Sequence, residues 1–397
     1  MIASKQYVVV ARAQASAVFK QDDFYSVNYQ LDNSPPARMV FRTRYIDRKM
    51  DHLIPEDLWV EIRGSAESVR QAIDVYVNGA REIAYIIGLT ANAYVGELDA
   101  DIAFEVTDGI DEREYFQAFL PERPVTIVPG RVLNVGVVRS LLAALVANPD
   151  RARLMRAIAQ YQVALRHWTL GSEVLAMAHL FMAVENLKTA ALRKHLLDRD
   201  IDDIQLAAEW GYKESGTMKL SPYLDEQARM RLVFHGDAIC HKDAKWVSDR
   251  FEHGLENFGL LRPRACAALV SAAQHVRHTI IEVSNVATDS AESMRGGAYS
   301  RPRGPLKFAK YLYGHLKGDP KNFAAPDQMY PGFTWVSKLD AVTVDDDGKY
   351  GFKPLDTVTA RFGEGVTFTN GKFEVWDGSA MSDQSANAPE ITQPSTP

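Results

Sequence analysis

The densest run of side chains able to do chemistry is residues 229–254, RMRLVFHGDAICHKDAKWVSDRFEHG. Eight of the ten histidines lie between His167 and His278, and histidine is the side chain that titrates near neutrality. Spacing sorts the members of this run. At about 100° per residue, Arg231 and His235 share one helical stripe with Leu224, Ala228 and Leu232, whereas Arg229 points to the opposite side. A cation and an imidazole on an otherwise apolar stripe need partners, a ligand or a second subunit. Glu185, inside the apolar stripe of its own helix, is the natural partner. Arg231, His235 and Glu185 are therefore the candidate catalytic residues, and a buried structural ion pair is the alternative for the same three.

A metal centre is a further alternative, with His235, Asp237, His241, Asp243 and His253 as nominal ligands. His241 and His253 are twelve residues apart on one predicted helix, about 18 Å along its axis, so they cannot share an ion. Asp237 is accounted for as a helix N-cap. A His235–His241 site with Glu185 remains open, but no CxxC or HExxH spacing strengthens it. The expectation is no metal and no cofactor.

Residues 294–321 hold seven Lys or Arg against one acid, with Tyr299, Phe308, Tyr311 and Tyr313 interleaved. That mixture suits single-stranded nucleic acid, through phosphate neutralisation and base stacking. Arg301, Arg303, Lys307, Lys310 and Tyr311 are the candidate RNA-binding residues; a solvated linker leading into a helix is the alternative. The acidic run Asp345–Asp347 lacks the ligand spacing of a calcium loop and reads as a hairpin turn. Cys240 and Cys266 sit among Ala and Leu, as inert buried thiols do. No glycine-rich phosphate loop follows a strand.

The elements that must position these residues form an α+β chain. Residues 1–150 read as a β-rich α+β domain, with strands at Tyr7–Val10, Met39–Tyr45, Leu58–Ile62 and Ile102–Val106. One helix carries Val69, Ile73, Val77, Ala80, Ala84 and Ile87 at helical spacing, and Ser34-Pro35-Pro36 supplies turn chemistry. Residues 151–286 read as an antiparallel helical bundle. A helix from Arg151 to Trp168 ends at Gly171, and the next carries Val174, Ala178, Phe181, Val184 and Leu192. A third, from Ser221 with Pro222 in its first turn, ends at Gly236. The helix after Asp237 puts Cys240, Ala244, Val247, Phe251, Leu255 and Phe258 on one face, and the last runs from Arg264 to Val286. Residues 287–332 read as a basic linker with a short helix at Pro305–Leu316. Residues 333–378 read as a small β region with hairpin signals at Asp347-Gly348 and Asn370-Gly371, and 379–397 as a disordered tail.

Composition sets the outer limits. A chain of 397 residues with 46% hydrophobic content can build more than one core. Its net charge of −6 argues against a wholesale electrostatic nucleic-acid binder. Two cysteines imply no disulfide framework and a reducing compartment, and no apolar run is long enough to span a membrane. Cytoplasmic location is the expectation.

The order of elements resembles the HEPN superfamily, closest to HEPN domains of the ApeA-like kind behind a β-rich N-terminal region. The likeness rests on the helical bundle, on Ala183–Asn186 (AVEN) in its second long helix, and on an Arg followed by His235-Gly236 near the end of a later helix. Ribonuclease members place Arg, a polar residue and then His at a dimer interface. The matching residues are Arg229 or Arg231 with His235, but Met230 and Leu232 stand where the polar residue belongs. Residues 235–259 also resemble MauJ-type bacterial proteins, which implies no particular chemistry. The HEPN resemblance implies a homodimer that binds or cleaves RNA without metal, in bacterial defence or stress response. His235 would move protons and Arg231 would stabilise charge on the phosphoryl oxygens. Non-catalytic members imply the alternative, a ligand-binding or protein-interaction module whose bundle dimerises.

Overall fold

The computed structural model describes residues 5–30, 36–47, 52–109, 111–118, 130–214, 219–304, 309–344, 350–376, 381–387 and 391–392. These form two compact units, one of Met1–Ile46 with Pro55–Pro305 and one of Asp47–Ile54 with Leu306–Pro397. The chain is α+β.

The first unit opens with β1 (Lys5–Gln14), β2 (Ala17–Val18), β3 (Tyr25–Tyr29), β4 (Ala37–Ile46) and β5 (Ile54–Ala66). After α1 (Val69–Thr90) come β6 (Asp99–Glu105), β7 (Tyr115–Gln117) and β8 (Arg131–Val132). Six of the strands form one sheet in the order β3-β4-β5-β1-β6-β7. Period-2 alternation selects its inner face: Ala37, Met39 and Phe41 are buried while Arg38 and Arg42 are exposed. That face packs on α1 through Ala72, Tyr76, Ala80, Ile83 and Ile87. Ser68 starts α1 by accepting the Gln71 amide. The Ser34-Pro35 turn lies outside the described residues.

The bundle follows: α2 (Val135–Ala147), α3 (Arg151–Arg166), α4 (Glu173–Arg199), α5 (Asp203–Glu209), α6 (Leu220–Ala228), α7 (Ala238–Glu252), α8 (Phe258–Ser284) and α9 (Thr288–Arg295). Helix α4 sits at its centre, against α3, α7 and α8. Leu154, Ile158, Leu180, Val184, Leu269 and Val276 are sealed there. Each such side chain contributes about 1.5–3 kcal/mol by leaving water, so these helices form a firm base for a surface site.

Several boundaries differ from the sequence expectation. Helix α2, capped by Asn134, lies in the segment read as β-rich. Helix α7 stops at Glu252, so Leu255 and Phe258 leave its inner face and are exposed. Asn257 then caps α8, which begins six residues earlier than Arg264. Residues 287–304, the described part of the stretch read as linker, are not free. They include α9, the Asn92 side chain donates to the Tyr299 carbonyl at 2.7 Å, and Arg303 forms a β-bridge with Ala93.

Arg277 of α8 fixes this region. It is fully buried, and its guanidinium donates to the carbonyls of Leu89, Thr90 and Met294 at 3.1, 3.0 and 2.7 Å. The first two carbonyls are at the C-terminal end of α1, where the helix dipole favours a cation. Burial lowers its pKa to about 10, which still leaves it charged at neutral pH.

The second unit contains β9 (Ala309–Lys317), β10 (Gly332–Val344), β11 (Tyr350–Arg361), β12 (Thr367–Trp376), β13 (Met381–Asp383) and β14 (Ile391–Thr392). They form two three-stranded sheets, β10-β11-β14 and β13-β12-β9. Aromatic pairs link them, Phe333 with Phe368 at 5.0 Å and Trp335 with Phe373 at 4.8 Å. The helix expected at Pro305–Leu316 is strand β9 over its described part. Alternating Tyr311 and Tyr313 suit a pleated surface better than a helix. Asn370-Gly371 is not a hairpin turn: it lies inside β12, where the register against β9 shifts and Asn370 takes φ 54°. The segment 379–397 includes β13, paired with β12, and β14, paired with β11. Asp347-Gly348 lies outside the described residues.

Candidate functional site

The site grows from the junction of α6 and α7. Helix α6 does not continue as an α-helix to Gly236. Residues Arg229–Val233 form a π turn, in which the Phe234 amide donates to the Arg229 carbonyl at 2.9 Å. The Gly236 amide closes on the Met230 carbonyl, with His235 and Gly236 both left-handed at φ 51° and 82°. Asp237 then accepts the Cys240 amide at 2.9 Å and starts α7, as its sequence position led one to expect.

This turn directs His235 outward, onto a face of α8. His235 Nδ1 lies 3.2 Å from His275 Nδ1, and His235 Nε2 lies 3.2 Å from Glu282 Oε2. His275 Nε2 lies 3.3 Å from Asp237 Oδ2, and Arg295 of α9 donates to Glu282 Oε1 at 3.3 Å. The ring of His278 meets that of His235 edge-on at 6.4 Å. Asp237, His275, His235 and Glu282 thus form one hydrogen-bonded chain, a carboxylate at each end and two imidazoles between.

For every link of this chain to be a hydrogen bond, each outer nitrogen carries hydrogen and one hydrogen lies between the two Nδ1 atoms. The carboxyls of Asp237 and Glu282 are held below their usual range, Asp237 chiefly by the Cys240 amide and Glu282 chiefly by His235. Burial lowers His275 and His278. His235 itself is one-third exposed at the side chain, so a solute can touch this member of the chain.

The predicted trio does not assemble. Arg231 is exposed, donates to Gln227 at 2.7 Å and lies 5.7 Å from the Trp210 ring centroid. Glu185 binds Arg229, not Arg231 or His235, through two contacts of 2.5 and 3.0 Å, and also Lys188 at 2.9 Å. The cause is the π turn: its wider loop removes the four-residue stripe on which Arg231 and His235 were aligned. Arg229, expected to face away, is the arginine turned into the bundle.

The metal site of His235 with His241 and Glu185 does not assemble either. His241 is buried with Nε2 3.8 Å from Glu226 Oε1 and packs on Phe234, apart from the partners of His235. Residues that the sequence reading missed are His275, His278, Glu282 and Arg295. Their signal was present: His275, His278 and Glu282 stand at offsets 0, 3 and 7, one face of a helix.

The RNA-binding candidates also separate. Arg301 and Arg303 belong to the first unit, and Lys310 and Tyr311 to the second. Lys310 is held by Asp356 at 2.8 Å and lies over the Trp335 ring. Lys307 lies outside the described residues. Cys240 is buried, with its thiol pushed up to about 12 by burial, whereas Cys266, expected buried, is exposed.

Among the described residues, no helix is long and apolar enough to cross a membrane. No protein-family model, curated protein or solved structure matches the chain.

Proposed function

We propose that the bundle acts on RNA without metal, as a HEPN-like protein, with His235 as the group that transfers protons. The observation that carries this reading is an accessible imidazole held at both nitrogens, by His275 on one side and Glu282 on the other. A general acid–base must be fixed in orientation and reach its substrate, and His235 meets both needs. In this role the substrate displaces Glu282 from His235 Nε2, and that nitrogen takes a proton from the 2′-hydroxyl or returns one to the leaving oxygen, which confines the reaction to RNA. Arg295, held beside His235 through Glu282, replaces Arg231 as the cation for the phosphoryl oxygens. A homodimer through the bundle completes the groove, as the HEPN resemblance implies.

The test is labelled RNA incubated with the full chain in EDTA, beside His235→Ala. Cleavage by the parent and none by the variant is the expected result. Equal activity in both removes His235 as the proton-transfer group, and none in either removes the reading and leaves a non-catalytic interaction module.

A further inference from the structure

We propose that Asp237, Cys240 and His275 form a binding site for one divalent transition-metal ion of the zinc class. The inference goes beyond the RNA reading, and it shares Asp237 and His275 with the chain that holds His235, so a bound ion takes the place of their mutual hydrogen bond. One carboxylate oxygen, one thiol sulfur and one imidazole nitrogen from these residues lie within 4.8 Å of one another. Zinc takes sulfur at about 2.3 Å and imidazole at about 2.0 Å, so its ligands sit roughly 3.3–3.7 Å apart, within reach of small side-chain rotations. A single oxygen donor excludes calcium and magnesium, which require oxygen shells. Sulfur with imidazole selects the borderline-soft ions.

The donors are left over from structural work. Asp237 caps α7 with Oδ1, which leaves Oδ2 turned to His275 Nε2. Cys240 makes only a long contact, 3.8 Å, to the Ala268 carbonyl. Phe234, fully buried, packs on the His275 ring and forms an apolar wall. Behind the ligands stands the outer support that metal-binding histidines use. His275 Nδ1 faces His235 Nδ1, and His235 Nε2 faces Glu282.

Binding replaces protons with the ion. The thiol proton of Cys240 and the Nε2 proton of His275 leave, and sulfur and nitrogen donate their electron pairs to the metal. His275 Nδ1–H then donates to His235 Nδ1, and His235 Nε2–H to Glu282. Three protein ligands leave a fourth tetrahedral position for water or a substrate atom.

Cobalt(II) titrated into the metal-free full chain reads the site directly. The expected result is one ion per chain, a near-ultraviolet thiolate-to-cobalt band, and displacement of cobalt by zinc. Cys240→Ser removes the band and Cys266→Ser keeps it. Asp237→Asn retains the helix cap but weakens binding, which keeps the test valid should Cys240→Ser misfold. His235→Ala keeps the band and weakens affinity about 10–100-fold, the range for a lost outer partner. No binding, binding without the band, a band that survives Cys240→Ser, or affinity unchanged by Asp237→Asn overturns the proposal.

Discussion

Helix α8 carries two nitrogen-rich centres within four residues, and they are solved in opposite ways. Arg277 is sealed, and its partners are backbone carbonyls that cannot titrate or move away. His275 and His278 stand on another face of the same helix, half-buried among side chains that can change protonation or rotate. The first arrangement fixes a structure, since an orphaned buried carbonyl is costly. The second can exchange protons or accept an ion, since every partner is adjustable. Burial alone does not separate structure from chemistry; the kind of partner does.

The largest effect should come from breaking the sealed centre. Arg277→Leu takes the guanidinium donors from the carbonyls of Leu89, Thr90 and Met294, of which Leu89 keeps the Asn92 amide, and we expect a loss of about 3 kcal/mol in urea unfolding. Next is the bidentate pair of Glu185 and Arg229, which touches neither His235 nor His275. Glu185→Gln should cost about 1 kcal/mol, a value kept small because Glu185 is partly exposed and Arg229 keeps Glu226. It should leave RNA cleavage and metal binding unchanged; loss of either would restore Glu185 to the site.

A pH effect follows from His167 and His179, which stack at 5.3 Å beside Arg166, with His179 Nδ1 on Gln160. Burial is the main cause that lowers both, with Arg166 adding to it for each. The unfolded chain binds these protons near pH 6.5 while the folded chain resists them. Their stability is therefore complete above about pH 6.5 and lost as pH falls. The melting temperature should drop between pH 7.5 and 5.5, and His179→Gln should flatten that slope. A slope unchanged by the variant would place the acid sensitivity elsewhere. The smallest effect is expected from Arg231→Ala. It removes one exposed hydrogen bond and a contact with Trp210, about 0.5 kcal/mol, with cleavage intact. Loss of cleavage equal to that of His235→Ala would reinstate Arg231 and overturn the assignment to Arg295.

The helices α1, α3, α4 and α7 were legible because each repeats apolar residues at helical spacing, and Asp237 marked the start of α7. Helix α2 was not: it buries Val137, Leu141 and Leu145 on one stripe, but VGVVRSLLAALVA has apolar residues on its other sides too, which masks the period in the sequence. The packed stretch 287–304 misled because Gly, Ser and Pro describe backbone freedom, whereas its order comes from distant partners such as Asn92 and Ala93. The site was half legible. His235 was found from its place in a histidine-rich run, but its partners depend on a π turn, for which local propensity offers no signal. One extra residue in a helix turn changes which side chains are neighbours, and Arg231 was assigned across that shift.

His235 sits where a helix ends in the left-handed region, a place that suits glycine or asparagine and costs other residues about 1 kcal/mol. Stability and chemistry therefore pull this position in opposite directions. A lineage that no longer needed the imidazole would be expected to drift toward glycine or asparagine here and gain robustness by it. Histidine retained across diverged relatives at this position would be a mark of selection for its ring, since the backbone gives it no other advantage.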